Sequence, residues 1–285
     1  MKKYKILTDS SCDLTEEFLT KLNIEKINMK FTFDNTNYIS SNEMDTEIFY
    51  EELKNGKVAK TSSLNLDEYS NFFEKYLKKG FDIIYIGLSS GLSKTVEIAE
   101  IAKRELSQKY QNSRIEVIDS LCASAGLGLL LYLCAENQKS GADFSGIIEF
   151  VKSTRYKISH QFTVDSLDYR KRGGRISPAS AVLGELLGIK PMLYKNKDGK
   201  LETIGKVRGR NNAISSLAQK CADNADCKNY PVFISHGGCL KDAEILKKQI
   251  ESKLKNIKIN IFEISPFIGA HSGPGTLSVF YMQKN

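Results

Sequence analysis

Hydroxyl clusters, a histidine in a glycine-rich segment and grouped cations are the residues of this chain best suited to chemistry. Gly87-Leu88-Ser89-Ser90-Gly91-Leu92-Ser93-Lys94-Thr95 joins a strand-like run to a helical one. Such a turn aims free backbone N–H groups and the positive end of a helix at one spot, which suits an anion. Ser89, Ser90, Ser93 and Thr95 add hydroxyl donors there. Serine and threonine at a helix start equally serve as caps, and both uses stand open for Thr61-Ser62-Ser63, ahead of a helix beginning near Asp67. His271 lies in Gly269-Ala270-His271-Ser272-Gly273-Pro274-Gly275-Thr276, whose three glycines and proline predict a compact loop. Its ring suits either donation to a carboxylate or phosphate, or a structural role. Arg170-Lys171-Arg172-Gly173-Gly174-Arg175 sets four cations around two glycines, and Lys206, Arg208 and Arg210 form a second group. Each group is a solvated basic face or a shaped loop able to meet a phosphate or an acidic partner.

These residues need elements to position them. Residues 4–7, 81–88 and 114–119 read as strands separated by amphipathic segments, an α/β rhythm. A helix over 93–110 places Val96, Ala99, Ala102 and Leu106 on one face, and a helix over 66–79 carries an aromatic stripe that reads as core packing. After about residue 155 the rhythm changes. Strand 158–164 leads to a polar basic turn and a small-residue helix over 178–187. Strands 190–194 and 200–207 then flank the hairpin signal Asn196-Lys197-Asp198-Gly199. Helices over 211–224 and 241–255 alternate with strands 232–235, 257–264 and 276–281, an α+β pattern. Two domains follow, 1–155 and 156–285, with segments free to cross between them.

Composition narrows the class. Of 285 residues, 41% are apolar and 26% charged, values of a globular chain. The net charge of +7 comes from 41 basic and 34 acidic residues spread along the sequence, which does not imply bulk nucleic-acid binding. The longest apolar run, 125–135, is about half a membrane span, and the N-terminus lacks the pattern of a secretory signal. Cysteines 12, 122, 134, 221, 227 and 239 include no pair with the two-residue spacing of a zinc or redox motif. Reduced thiols, a cytoplasmic location, no metal and no transmembrane segment are the expectation.

In order and wording the motifs resemble the DegV family over nearly the entire chain. The resemblance rests on Thr8-Asp9-Ser10-Ser11-Cys12-Asp13-Leu14, Thr61-Ser62, Ser90-Gly91-Leu92-Ser93, Val117-Ile118-Asp119-Ser120 and Ser124-Ala125-Gly126-Leu127-Gly128. It continues through Asp165-Ser166-Leu167, Lys171-Arg172-Gly173-Gly174-Arg175-Ile176, Ile189-Lys190-Pro191, Arg208-Gly209-Arg210 and the segment around His271. The resemblance implies a two-domain α/β fold: an N-terminal Rossmann-like parallel-sheet domain and a C-terminal α+β lipid-binding domain with a mixed sheet. It also implies a long-chain fatty acid whose carboxylate is held at the domain interface by Thr61, Ser62 and Ser93 with His271 nearby. The implied partner is a separate ATP-using fatty acid kinase subunit, with Arg172, Arg175, Arg208 and Arg210 as exposed docking or phosphate-binding groups. No cofactor beyond the lipid is implied.

The chain departs from the family pattern in Ser63-Leu64-Asn65, where Gln-Pro-Ser is frequent, and in Lys94-Thr95-Val96, where Gly-Thr-Tyr is. Arg170 stands where an apolar residue is common. Residues 178–189 have a composition suited to a tunnel wall and equally to an ordinary core. The competing class is a stand-alone serine hydrolase or acyl-transfer enzyme pairing a hydroxyl with His271, for which no acid partner can be assigned. An autonomous kinase is disfavoured because Ser93-Lys94-Thr95 lacks the glycine that precedes the lysine of a phosphate-cradling loop.

Overall fold

The computed structural model describes residues 3–33, 36–39, 43–175 and 188–284. The chain opens with β1 (Tyr4–Asp9), α1 (Glu16–Leu22) and β2 (Glu25–Ile27). It then makes a detour through β3 (Lys30–Phe33), β4 (Thr36–Ile39), α2 (Thr46–Lys54) and β5 (Ala59–Ser62). The α/β rhythm resumes with α3 (Leu66–Leu77), β6 (Asp82–Gly87), α4 (Thr95–Lys109) and β7 (Ile115–Asp119). Strands β2-β1-β6-β7 form a parallel sheet in that order. All six residues of β6 are buried, as a central parallel strand covered on both faces requires. The aromatic stripe of α3 packs in the core with Tyr85, and its start is fixed by a reciprocal capping box between Asn65 and Glu68.

Helix α5 (Ala125–Lys139) and α6 (Phe144–Thr154) lead into β8 (Ile158–Thr163) and the short α7 (Asp168–Gly173). Beyond residue 187 come β9 (Ile189–Lys195), β10 (Leu201–Arg208), α8 (Arg210–Asn224), β11 (Val232–His236) and α9 (Leu240–Lys253). The chain closes with β12 (Ile259–Glu263), α10 (Pro266–Ser272) and β13 (Leu277–Met282). A six-stranded sheet results, ordered β10-β9-β8-β13-β11-β12, antiparallel except for the parallel β11–β12 pair. The α/β class with one parallel and one mixed sheet is as expected. The expected helix over 178–187, and that part of the expected tunnel wall, lie outside the described residues.

Three local expectations give way. Thr61 and Ser62 belong to β5, which pairs with β3 in a third, antiparallel sheet ordered β4-β3-β5. Phe31, Phe33, Phe49 and Tyr50 form the core beneath that sheet. The basic segment is not a turn but the one and a half turns of α7, ended by Gly174 in the left-handed conformation. His271 sits in the last turn of α10 rather than in a loop, because Pro266 opens a helix that continues to Ser272. The parallel sheet ends at Asp119 and the mixed sheet begins at Ile158, yet α5 serves both. Its apolar residues share one core with Ile6, Ile84 and Ile86 of the first sheet and with Ile158, Phe233 and Phe280 of the second.

Candidate functional site

Where β5, the turn before α4, α7 and α10 meet β8 and β13 of the mixed sheet, a cavity opens that spans about 810 Å³ when the open solvent at its mouth is counted. Its interior proper, the space open to the centres of water-sized spheres, measures about 100 Å³. Thr61, Ser62, Ser63, Ser93 and His271 line it, together with Arg170 and Arg175. The rest of the wall is largely apolar and includes Leu88, Leu92, Phe162, Phe267, Ile268 and Phe280. Thr61, Ser62, Ser93 and His271, which stand up to 210 positions apart in sequence, are thus brought to one chamber.

The tightest contact among them joins Thr61 Oγ1 and His271 Nε2 at 2.8 Å. Backbone pairing of Thr61 with Phe31 holds the threonine, and close packing holds the imidazole. A Cβ on Gly173 would stand 2.2 Å from His271 Nδ1, so only glycine lets α7 lie against that ring. His271 Nδ1 is buried and has no hydrogen-bond partner among the described residues. Burial foremost, then the charges of Arg175 and Arg170, push the His271 pKa down to about 4, so the ring is neutral at pH 7.

Capping does not account for Thr61 and Ser62, and accounts for Ser93 only in part. Helix α3 is capped by Asn65, and the N-cap position of α4 falls on Lys94, which makes no side-chain cap. Ser93 Oγ lies 2.6 Å from Thr95 Oγ1 and also accepts from the Thr95 N–H at 3.4 Å, at the start of α4. The other two hydroxyls of that turn are used within the fold. Ser90 bonds the Asp119 carboxylate through both its N–H and its hydroxyl. Ser89 donates to the carbonyl of Gly199 at 2.9 Å and so ties the turn to the tip of the β9–β10 hairpin. Gly199, at φ +72°, sits so close that a Cβ would meet Ser89 Oγ at 2.0 Å.

The basic residues separate into different environments. Arg172 and Arg208 are exposed as expected, Arg172 with its guanidinium over the Tyr169 ring. Arg175 is not a free surface group: its Nε donates to the Leu92 carbonyl at 3.1 Å and it lines the cavity. Arg210 is engaged as well, with Asp242 at 2.8 Å and Asp165 at 3.7 Å, since it opens α8 beside both carboxylates. Lys94 is exposed. A second, outer groove is lined by Lys60, Tyr169 and Arg172 and shares Thr61, His271 and Arg175 with the cavity.

Sequence reasoning passes over three features. Gly87-Leu88-Ser89-Ser90-Gly91 has the spacing of a nucleophile elbow, but Ser89 is fully buried and spends its proton on Gly199. Together with the unpartnered Nδ1 of His271, this leaves no serine, histidine and acid triad among the described residues. His160 also lines the cavity; its Nε2 accepts from the Ala123 N–H at 3.2 Å, and burial pushes its pKa well below the ordinary value. Arg170 is buried rather than part of a solvated run. Among the described residues no group of three or more metal-ligating side chains occurs, and no helix is long and apolar enough to cross a membrane.

A parallel sheet and a mixed sheet sharing a buried helix, with a small antiparallel sheet beside them and hydroxyls and a neutral imidazole on the wall of an internal cavity, define an α/β protein. The chain belongs to the DegV family: the model for that family of uncharacterised proteins matches residues 3–284. It is 39% identical to a DegV domain-containing protein of Clostridium perfringens over 99% of this chain and 98% of that protein. Among solved structures it resembles the stearic acid-binding protein of Eubacterium ventriosum, with 25% identity, TM-score 0.90, and 99% and 98% of the two chains covered. It also resembles DegV of Bacillus subtilis, a fatty acid binding protein, with 27% identity, TM-score 0.85 and full coverage of both chains.

Proposed function

We propose that this chain is a cytoplasmic carrier that holds a long-chain fatty acid in the cavity and presents its carboxylate to a separate ATP-using kinase subunit for acyl-phosphate formation. The observation that carries the reading is the Thr61–His271 contact at 2.8 Å, on the wall of a cavity that Ser62 and Ser93 also line and to which Leu88, Leu92, Phe162, Phe267, Ile268 and Phe280 add apolar surface. A carboxylate taken out of water needs several donors, and these side chains offer them. The tail supplies the affinity. At about 0.8 kcal/mol per buried methylene, a sixteen-carbon chain offers on the order of 10 kcal/mol gross, consistent with submicromolar binding after ordering costs.

Presentation to a partner is supported by the residues common to the cavity and the outer groove. Thr61, His271 and Arg175 border both spaces, and exposed Arg172 adds a cation on the outer side. A head group held there is reachable from the groove. The test is a coupled assay: the purified chain alone hydrolyses no ATP, and acyl-phosphate forms only when the kinase subunit of the same cell is added. Arg208→Glu, at an exposed position away from the cavity lining, lowers acyl-phosphate output while leaving fatty-acid affinity unchanged. ATP hydrolysis by the chain alone, or equal loss of binding and output in the variant, contradicts the reading.

A further inference from the structure

Arg170 is the one buried arginine among the described residues, and its side chain has no hydrogen bond to any other described residue. The others are exposed or donate to a protein oxygen: Arg114 to Asp82, Arg155 to the Asp119 carbonyl, Arg175 to the Leu92 carbonyl and Arg210 to Asp242. Arg170 is only 5% exposed, projects from α7 and lays its guanidinium over the Phe162 ring, 4.6 Å from the centroid. Its Nε is buried with no acceptor. Burial alone, with no neighbouring carboxylate to offset it, moves its pKa down to about 10, so the charge is still present at pH 7. A lone charge in such a place is costly unless something pairs with it. Stacking on Phe162 offsets part of that cost and uses the face of the guanidinium, leaving the Nε–H at its edge without an acceptor among the described residues.

Arg170 borders the cavity, which Thr61, Ser93 and His271 also line, and its charge is felt at the His271 ring. We propose that Arg170 is the counter-ion of the bound ligand: its guanidinium takes the anionic head of the acyl chain and makes this cavity select an ionised acid over a neutral lipid of equal length. The assignment rests on the acyl-carrier reading above. Hydroxyls and a neutral imidazole bond an acid and an alcohol alike, whereas a fixed guanidinium discriminates between them by charge and by its planar fork. The residue lies outside the hydroxyl and histidine set and is a feature of this chain's own cavity.

The experiment titrates hexadecanoate and hexadecan-1-ol into the lipid-stripped full chain, as wild type, Arg170→Met and Arg170→Lys, at about pH 8, where the acid is ionised. Thermal unfolding of each ligand-free protein is read beside it. Wild type prefers the acid. Arg170→Met loses about 10- to 100-fold in acid affinity and keeps its alcohol affinity, and Arg170→Lys retains most of the preference. Ligand-free Arg170→Met unfolds no lower than wild type, since the substitution removes an unpaired buried charge. A preference for the acid that survives in Arg170→Met overturns the assignment while the carrier reading stands. So does a loss of acid and alcohol affinity together with a lower unfolding temperature, which marks a structural residue. Wild type that binds neither ligand overturns the carrier reading and this assignment with it.

Discussion

Each polar side chain of the cavity owes its state to its immediate neighbours. His271 stays neutral because it is buried beside two cations, so in the fold it is a hydrogen-bonding group and not a charge. Losing one donor to a buried carboxylate costs about 1.5–3 kcal/mol. Ser93→Ala and Thr61→Val should therefore each weaken fatty-acid binding about tenfold or more in a folded protein, and a double-mutant cycle should show coupling. Additive losses in isothermal titration would mean that the two hydroxyls do not share one head group. Asp13 has the opposite character: it accepts from Ser124 Oγ and from the Ser265 N–H, yet burial dominates and raises its pKa to about 7. Between its unfolded value near 3.9 and about 7 the native state binds more protons than the unfolded one, so its contribution is present at low pH and lost as pH rises. Wild type should lose stability relative to Asp13→Asn as pH climbs from about 4 to about 7, read as a widening gap in unfolding temperature. A gap independent of pH would show that Asp13 stays ionised. His271 works against this trend, because its depressed pKa makes its own contribution grow over the same window.

Elements place these groups, and their legibility in sequence follows from how they are buried. Helices α3 and α4 are readable because buried residues recur at helical spacing along each, and strands β1, β6 and β7 because each is a short, mostly buried apolar run. Helix α5 is buried on nearly all sides, so it has an apolar run but no amphipathic period to mark it as a helix. The third sheet escapes notice because its strands have only four residues each, too few for an alternation to stand out. At the site, Thr61, Ser62, Ser93 and His271 are legible through their motifs, while the burial of Arg170 is not. A basic hexapeptide reads as solvated, and only the placement of α7 against Phe162 turns one of its cations inward. The same placement makes Gly173 the hinge of the arrangement. Gly173→Ala should force α7 and α10 apart, costing about 1–3 kcal/mol of stability through overpacking, with fatty-acid affinity falling as well. Gly174→Ala has open space and only a left-handed φ of +67° to contend with, so its affinity should hold. Equal behaviour of the two variants in thermal unfolding and lipid titration would remove the packing argument.

Across the whole molecule, two sheets share the core around α5, and the cavity lies where β5, α7 and α10 meet the turn before α4 and strands β8 and β13. The apolar wall and the hydroxyls and imidazole come from segments spread over most of the chain, so the cavity exists only in the assembled fold. The motifs alone make the family visible, but they do not reveal the chemistry of the chamber, which depends on which cations turn inward and which hydroxyls remain unspent. The most direct test of the carrier account is denaturing extraction of the purified protein followed by mass spectrometry of what is released. The account predicts a fatty acid of roughly fourteen to eighteen carbons near one per chain, the length whose methylenes supply the affinity argued above. A lipid-free protein that also fails to take up added palmitate or oleate would contradict it.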